Sequence, residues 1–358
     1  MTTTSLPAAG AGAAQARLVY RAITRHKAVV VALLACATLL AFLTDLATGP
    51  SGLTVTDVAR TILARDAAAP ASQVIVWDIR MPMALMALLV GASLAVSGAE
   101  MQTILNNPLA SPFTLGISAA AAFGAALAMV TGVALVPFLG LLVVTGNAFL
   151  FAMLAALAIY GFSRLRGATT ETMVLLGIAQ VFLFNALLAL LEYMASEQTL
   201  QQVVFWSLGS LTKASWPKIG VALAVLVVVA PPLAVQAWRL TALRLGDEKA
   251  RSLGINVERL RLQVLLLVSV LAATAVAFVG TVGFVGLVGP HVARMLVGED
   301  QRYFLAASAL AGALLMALTS IVSKLVVPGA IIPIGIITSL IGVPFFLSLV
   351  LTRRRQLW

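Results

Sequence analysis

The sequence predicts an all-α polytopic membrane protein of about ten transmembrane helices, with both termini on the cytoplasmic side. Three observations lead there: long apolar runs, scarce charge, and basic residues gathered between the runs on one side. Of 358 residues, 61% are hydrophobic and only 10% charged, with a mean hydropathy of +1.06. Soluble domains carry about 25% charged residues, so the water-soluble classes fall away. The net charge of +10 lies in loops, as the positive-inside rule requires, which argues against a nucleic-acid partner. Cys36 is the only cysteine and stands in an apolar run, so no internal disulfide or thiolate metal cluster is expected.

Taken in order, residues 1–27 read as a cytoplasmic tail, disordered through its first 16 Ala-, Gly- and Thr-rich positions, with no cleavable signal peptide. A helix needs about 20 mostly apolar residues to cross a bilayer. Candidate spans are 28–47, 81–103, 113–132, 137–160, 172–194, 217–238, 262–284, 287–298, 304–325 and 332–352. The eighth is too short to cross alone, and its Gly and Pro mark a broken helix buried in the bundle. The transmembrane domain therefore covers 28–352, followed by a cytoplasmic tail at 353–358. With the N-terminus inside, 17 of the 23 Lys and Arg lie inside; only Arg60, Arg65, Arg80, Lys213, Lys218 and Lys324 lie outside. That bias fixes the orientation. Two outer loops are long, 48–80 and 195–216, the second holding an amphipathic stretch at 199–206.

Between the sixth and seventh runs lies a charged helix-turn element, residues 240–254 of a region about 240–259, and six Lys or Arg fall from Arg239 to Arg261. Its apolar residues Leu243, Leu245, Ala250 and Leu253 are few, and Gly246 and Gly254 close its turns. Such an element on a membrane surface suits a pocket in a soluble partner better than a lipid bed.

Catalytic signatures are missing. No Gly-Lys pair occurs, so the chain has no P-loop of its own. The histidines are His26 and His291, and neither belongs to a metal or triad motif. Gly280, Gly283, Gly286 and Gly289 recur every third residue, a pattern that fits ordinary small-residue packing or a hairpin that shifts between states. Glu100 is a carboxylate inside an apolar run, near its inner end, where such groups are costly. Asn106-Asn107-Pro108 opens a tight inner turn.

Together these segments resemble the permeases of the iron-siderophore, heme and cobalamin ABC importer family. The likeness runs from about residue 30 to 352. Its matching stretches include Arg80-Met81-Pro82, the 91–99 run with Gln102, Asn107-Pro108-Leu109-Ala110, and the segments at 115–118 and 205–211. Further matches are 245–254, 283–287, Pro290-His291 through Arg294, Pro333-Ile334-Gly335 and 341–346. The resemblance implies a permease that pairs with a second permease subunit, binds two ATPase subunits and receives cargo from a substrate-binding protein, in the bacterial cytoplasmic (inner) membrane. It implies ATPase coupling through Leu245, Gly246, Glu248, Ala250, Arg251, Leu253 and Gly254. Arg80 and Lys324 match outward basic positions that grip the binding protein, and Asn107, Leu109, Thr170 and Glu171 match an inner gate. ATP and Mg would be held by the partner ATPase, with no cofactor, metal or catalytic residue in this chain.

Departures from the family pattern are Met83 in place of a second Arg, Ser320 in place of an Asp, and Ile331-Ile332-Pro333 in place of an acidic-Leu-Pro sequence. These, with the like charges that two copies of Glu171 would bring together, favour a paralogue over an identical copy as the second subunit. The cargo expected is a ferric siderophore or related iron chelate, with heme or cobalamin as alternatives. A reading from another class is a proton-coupled secondary transporter using Glu100 and Glu192, but no inverted repeat supports it.

Overall fold

A computed structural model of the chain describes residues 9–135, 142–166 and 169–352, and every regular element among them is helical. Helix α1 (Ala9–Ala47) begins inside the stretch expected to be disordered. α2 (Val55–Leu63) starts on a capping box, in which the Thr54 side chain accepts from Asp57 N and Asp57 accepts from Thr54 N. A 3₁₀ turn (Arg65–Ala67) follows, and after Ala68 and Ala69 the helix α3 (Pro70–Gln73), a π-helical segment (Val74–Arg80) and α4 (Met81–Ile104) run without a break. Pro82 has no N–H and would crowd the carbonyl four residues back; the wider π turn, with Met81 N bonded to Val76 O, lets the helix run through it.

The remaining helices are α5 (Ile117–Thr131), α6 (Val143–Arg166), α7 (Thr170–Met194), α8 (Glu197–Ser207), α9 (Trp216–Val235), α10 (Ala237–Leu243), α11 (Asp247–Ser252), α12 (Val257–Val279), α13 (Val285–Val297), α14 (Gln301–Leu325) and α15 (Ile334–Thr352). Seven helical runs are long and apolar enough to cross a membrane, and α5, α13 and part of α15 are shorter apolar helices. The chain is a multi-pass membrane protein. Each of the ten apolar runs read from the sequence corresponds to one of these helices. The start of the 137–160 run and Arg353, Arg354 and Arg355 lie outside the described residues.

α4 and α12 form the centre and are buried over most of their length, whereas α1, α7 and α9 are peripheral. α4 meets α13 and α14 backbone to backbone. A Cβ at Gly98 would sit 1.8 Å from Gly286 O, and one at Gly91 would sit 2.3 Å from Gly312 O. With lipid as solvent, helices associate through such close van der Waals contact. The glycine series therefore splits: Gly286 packs against α4, Gly289 packs against Ala95 and Gly312, Gly280 has φ +82°, and Gly283 meets nothing.

α13 is a partial helix, as expected. Its 13 residues rise about 20 Å, short of the roughly 30 Å hydrocarbon layer. The irregular segment before it is buried in protein, which is the condition for non-helical backbone at membrane depth. Thr281 Oγ1 donates to Ser207 O, and Ser210 N donates to Val279 O. The amphipathic outer stretch forms α8, N-capped by Ser196, with Val203 and Trp206 turned inward.

Candidate functional site

The charged element folds as α10 and α11 joined by a three-residue turn. Gly246 takes φ +101°, a conformation L side chains avoid, and lets α11 start at once with Asp247. At the other end Gly254, at φ +81°, closes a Schellman motif: Ile255 N donates to Ala250 O and Gly254 N to Arg251 O. Asn256 then caps α12 by accepting from Arg259 N. This geometry divides the side chains. Leu243, Ala250 and Ile255 point into the protein, while Leu245 (59% exposed) and Leu253 (56%) stand out among exposed Glu248, Lys249 and Arg251. Two apolar knobs in a charged field suit a protein pocket. Ala250 is therefore an anchor of the element rather than part of its outer face.

Arg261 fastens this element to the bundle. Its guanidinium donates to both Asp247 oxygens at 2.9 Å, to Ile104 O at 2.7 Å and to Thr170 Oγ1 at 3.4 Å. A second brace runs through Glu299, which pairs with Arg244 and lies 3.1 Å from Arg294 Nε. Arg294 continues to Gln102 Oε1 at 2.8 Å, and Gln301 reaches Thr103 and Thr241. Burial holds the Arg244 guanidinium below its usual pKa, opposed by the negative charge of Glu100.

The residues expected from the resemblance to form an inner gate lie at this same end. Asn107 and Leu109 follow α4, and Thr170 and Glu171 open α7. The chain leaves α4 through Asn106 at φ +43°, which Asn tolerates better than most residues. Asn107 Oδ1 accepts from Leu109 N at 2.9 Å, holding the turn and leaving Leu109 exposed. Beyond it Leu115 packs on Gly177, so the loop is seated on α7. Glu171 is exposed.

Arg80 and Lys324 are not at the outer surface, contrary to the sequence reading. Arg80 is 3% exposed and donates to Leu46 O, Ala47 O and Ser51 Oγ, capping the α1 carbonyls that lack intrahelical partners. Gly49 leaves room for it, since a Cβ there would lie 2.8 Å from Arg80 Nε. Lys324 is 5% exposed and pairs with Asp45 at 2.8 Å, while Ser320 Oγ donates to the other Asp45 oxygen at 3.0 Å. Asp45 thus supplies from α1 the carboxylate whose absence at Ser320 pointed to a paralogous partner. That departure is met inside the chain.

Asp45, Asp247, Arg261 and Glu299 were not singled out from the sequence. Arg261 had a signal: Val257, Leu260, Arg261, Val264, Leu265 and Val268 keep helical spacing, which places Arg261 on the buried stripe. Glu100 is 1% exposed, and neither carboxylate oxygen has a hydrogen-bond partner among the described residues. His291 is buried, edge-on to Phe345.

A helical bundle with seven candidate spans and three shorter apolar helices among the described residues, a partial α13, and a capped, exposed charged element beside the loop after α4 are the features to match among known proteins. A family model for the FecCD transport family matches residues 37–352. The chain belongs to the FecCD transport family. The hemin transport system permease of Yersinia pestis is 39% identical over 282 residues, covering 78% of this chain and 84% of that protein. The vitamin B12 import system permease of Yersinia enterocolitica is 36% identical over 280 residues, covering 78% and 82%. A solved structure, described as an inward-facing conformation of a metal-chelate type ABC transporter, superposes with a TM-score of 0.79 at 32% identity, over 90% of this chain and 99% of that one. This FecCD chain is accordingly a membrane permease of the ABC importers for iron chelates, heme and cobalamin, a family of permease pairs with ATPase and substrate-binding partners.

Proposed function

We propose that this chain is the permease subunit of an ATP-driven importer that carries a ferric siderophore or related iron chelate across the bacterial cytoplasmic membrane by alternating access. The observation that carries this reading is the α10–α11 element, with exposed Leu245 and Leu253 braced directly to the gate end of the bundle. Two ATPase subunits, which hold ATP and Mg, dock on this element in the complex, and in this reading both termini share its side of the membrane. A smooth apolar surface supports a bulky chelate as the class of cargo. Between Thr172 and Leu191, α7 carries no ionisable residue and exposes Leu175, Ile178, Phe182 and Leu183, a surface suited to a bulky chelate that must not stick. The second permease subunit is a paralogue on the strength of Glu171 alone, because two exposed carboxylates meeting at the axis would repel.

With Arg80 and Lys324 turned inward, the binding protein meets the exposed outer cations Arg60, Arg65 and Lys213. A proton-driven carrier is disfavoured by geometry. Glu100 lies near the α4 end that Arg261 ties to Thr170. Glu192 is 22 residues further along α7, about 33 Å away at the helical rise. Uptake into proteoliposomes holding the purified complex is the test. Energised uptake of a labelled ferric siderophore is the expected result. Uptake of haemin or cobalamin alone would replace the cargo, and uptake driven by a pH gradient without ATP would overturn the proposal.

A further inference from the structure

We propose that Arg261 is the positioning residue that carries movement of the α10–α11 element to the gate; this rests on the importer reading above. Three segments that need have no common fate converge on one guanidinium. Asp247 is the first residue of α11 and accepts two bonds at 2.9 Å, one from each terminal nitrogen. Ile104 is the last residue of α4 and accepts from Nε at 2.7 Å, two residues before the gate loop turns at Asn106. Thr170 is the first residue of α7 and accepts at 3.4 Å.

The chemistry of the link favours transmission. A guanidinium is planar and presents its donors in a fixed fork, so a bidentate carboxylate fixes its orientation as well as its position. The Ile104 carbonyl is one of the unpaired acceptors at the negative end of α4, where a cation is favoured. The side chain is buried, with 5% of its surface exposed, against 35% for Asp247. Asp247 thus lies at the accessible end of the link and the two gate segments at its protected end. Pulling Asp247 outward strips the guanidinium of its counter-ion in a low-dielectric site, so Arg261 must follow it or exchange partners. Either response shifts the end of α4 relative to the start of α7. Lysine, with a compact ammonium, holds at most part of this set.

The experiment uses the full complex, with Cys36 replaced by Ser and a cysteine at Leu109 to report the gate by crosslinking between subunits. Arg261→Gln and Asp247→Asn are compared with the parent for ATP hydrolysis and uptake under reducing conditions, and for nucleotide-dependent crosslinking under oxidising ones with a cysteine at the matching position of the second subunit. The expected result is uptake per ATP reduced about tenfold in both, within the range of single-residue coupling effects, with crosslinking no longer responsive to nucleotide. Arg261→Lys falls between. Asp247→Asn keeps the bonds from Arg261 to Ile104 and Thr170, so it remains informative if Arg261→Gln fails to fold. An unchanged ratio of uptake to hydrolysis in Asp247→Asn overturns the positioning role, as does loss of ATPase binding with normal gate response in what still assembles. If the parent complex itself neither binds nor needs an ATPase, the importer reading falls and takes this one with it.

Discussion

At the scale of single residues, the outer ion pair decides more than its surface position suggested. Lys324 and Asp45 are both buried and joined at 2.8 Å. Removing one partner strands the other charge at a cost of about 3–5 kcal/mol, whereas replacing both by apolar residues is often neutral. Lys324→Met is therefore expected to lower the thermal midpoint in detergent sharply, and Asp45→Leu combined with Lys324→Met to recover most of the loss. A surface lysine gripping a binding protein would show neither effect. The sequence revealed that Arg80 and Lys324 are cations near helix ends, but not which way they point. Their partners Leu46, Ala47 and Asp45 are on α1, and for Lys324 they lie 279 residues away in sequence. Glu100 poses the opposite case, a buried carboxyl without a hydrogen-bond partner among the described residues. Glu100→Gln keeps the shape and removes a group whose charged form is costly at membrane depth. Stability in detergent is expected to stay level or rise; a marked fall would mean that the carboxyl makes a contact the amide cannot.

At the scale of elements, two glycines separate coupling from folding. Gly246 has φ +101° and no atom within 4 Å of its missing Cβ. Gly246→Val strains the backbone by about 1–3 kcal/mol, since φ +101° with ψ 157° is a region essentially reserved for glycine, but its Cβ meets nothing, so the protein should insert and assemble while uptake per ATP falls. Gly98 is its converse, because any Cβ there runs into the Gly286 backbone at 1.8 Å. Gly98→Val forces α4 and α13 apart and is expected to abolish the detergent-stable protein, read as loss of a monodisperse peak in size exclusion. The helices themselves were legible because an apolar run of about 20 residues has few soluble uses, and the shortness of α13 was visible for the same reason. The π-helical segment Val74–Arg80 was not legible, since Pro82 signals an interruption without saying whether the chain bends, breaks or widens. The coupling element was legible in outline, from its glycines and charges. Its division into buried Ala250 and exposed Leu245 and Leu253 needed the turn at Gly246 to set the phase of α11.

At the scale of the whole molecule, one end of the bundle collects both the charged α10–α11 element and the 106–110 loop, the two parts that the importer proposal assigns to ATPase docking and to the gate. α4, α7, α10, α11 and α12 share that end through Arg261, Asp247, Ile104 and Thr170. Gate residues at 107, 109, 170 and 171 were placed there by topology and family likeness, and their proximity to the charged element was not visible until α12 packed between them. Leu109 is exposed in the single chain although it is apolar and held on an ordered turn. If a second subunit covers it, as the importer proposal requires, a leucine facing its counterpart would exclude water from a narrow path. A cysteine at 109 in both subunits is therefore expected to crosslink in the resting complex and to block uptake, with reduction restoring it. Pairs at 107 should crosslink less readily, because position 107 is half-buried whereas 109 is exposed. Crosslinking at 109 confined to a complex trapped open to the inside would place the constriction elsewhere along the path.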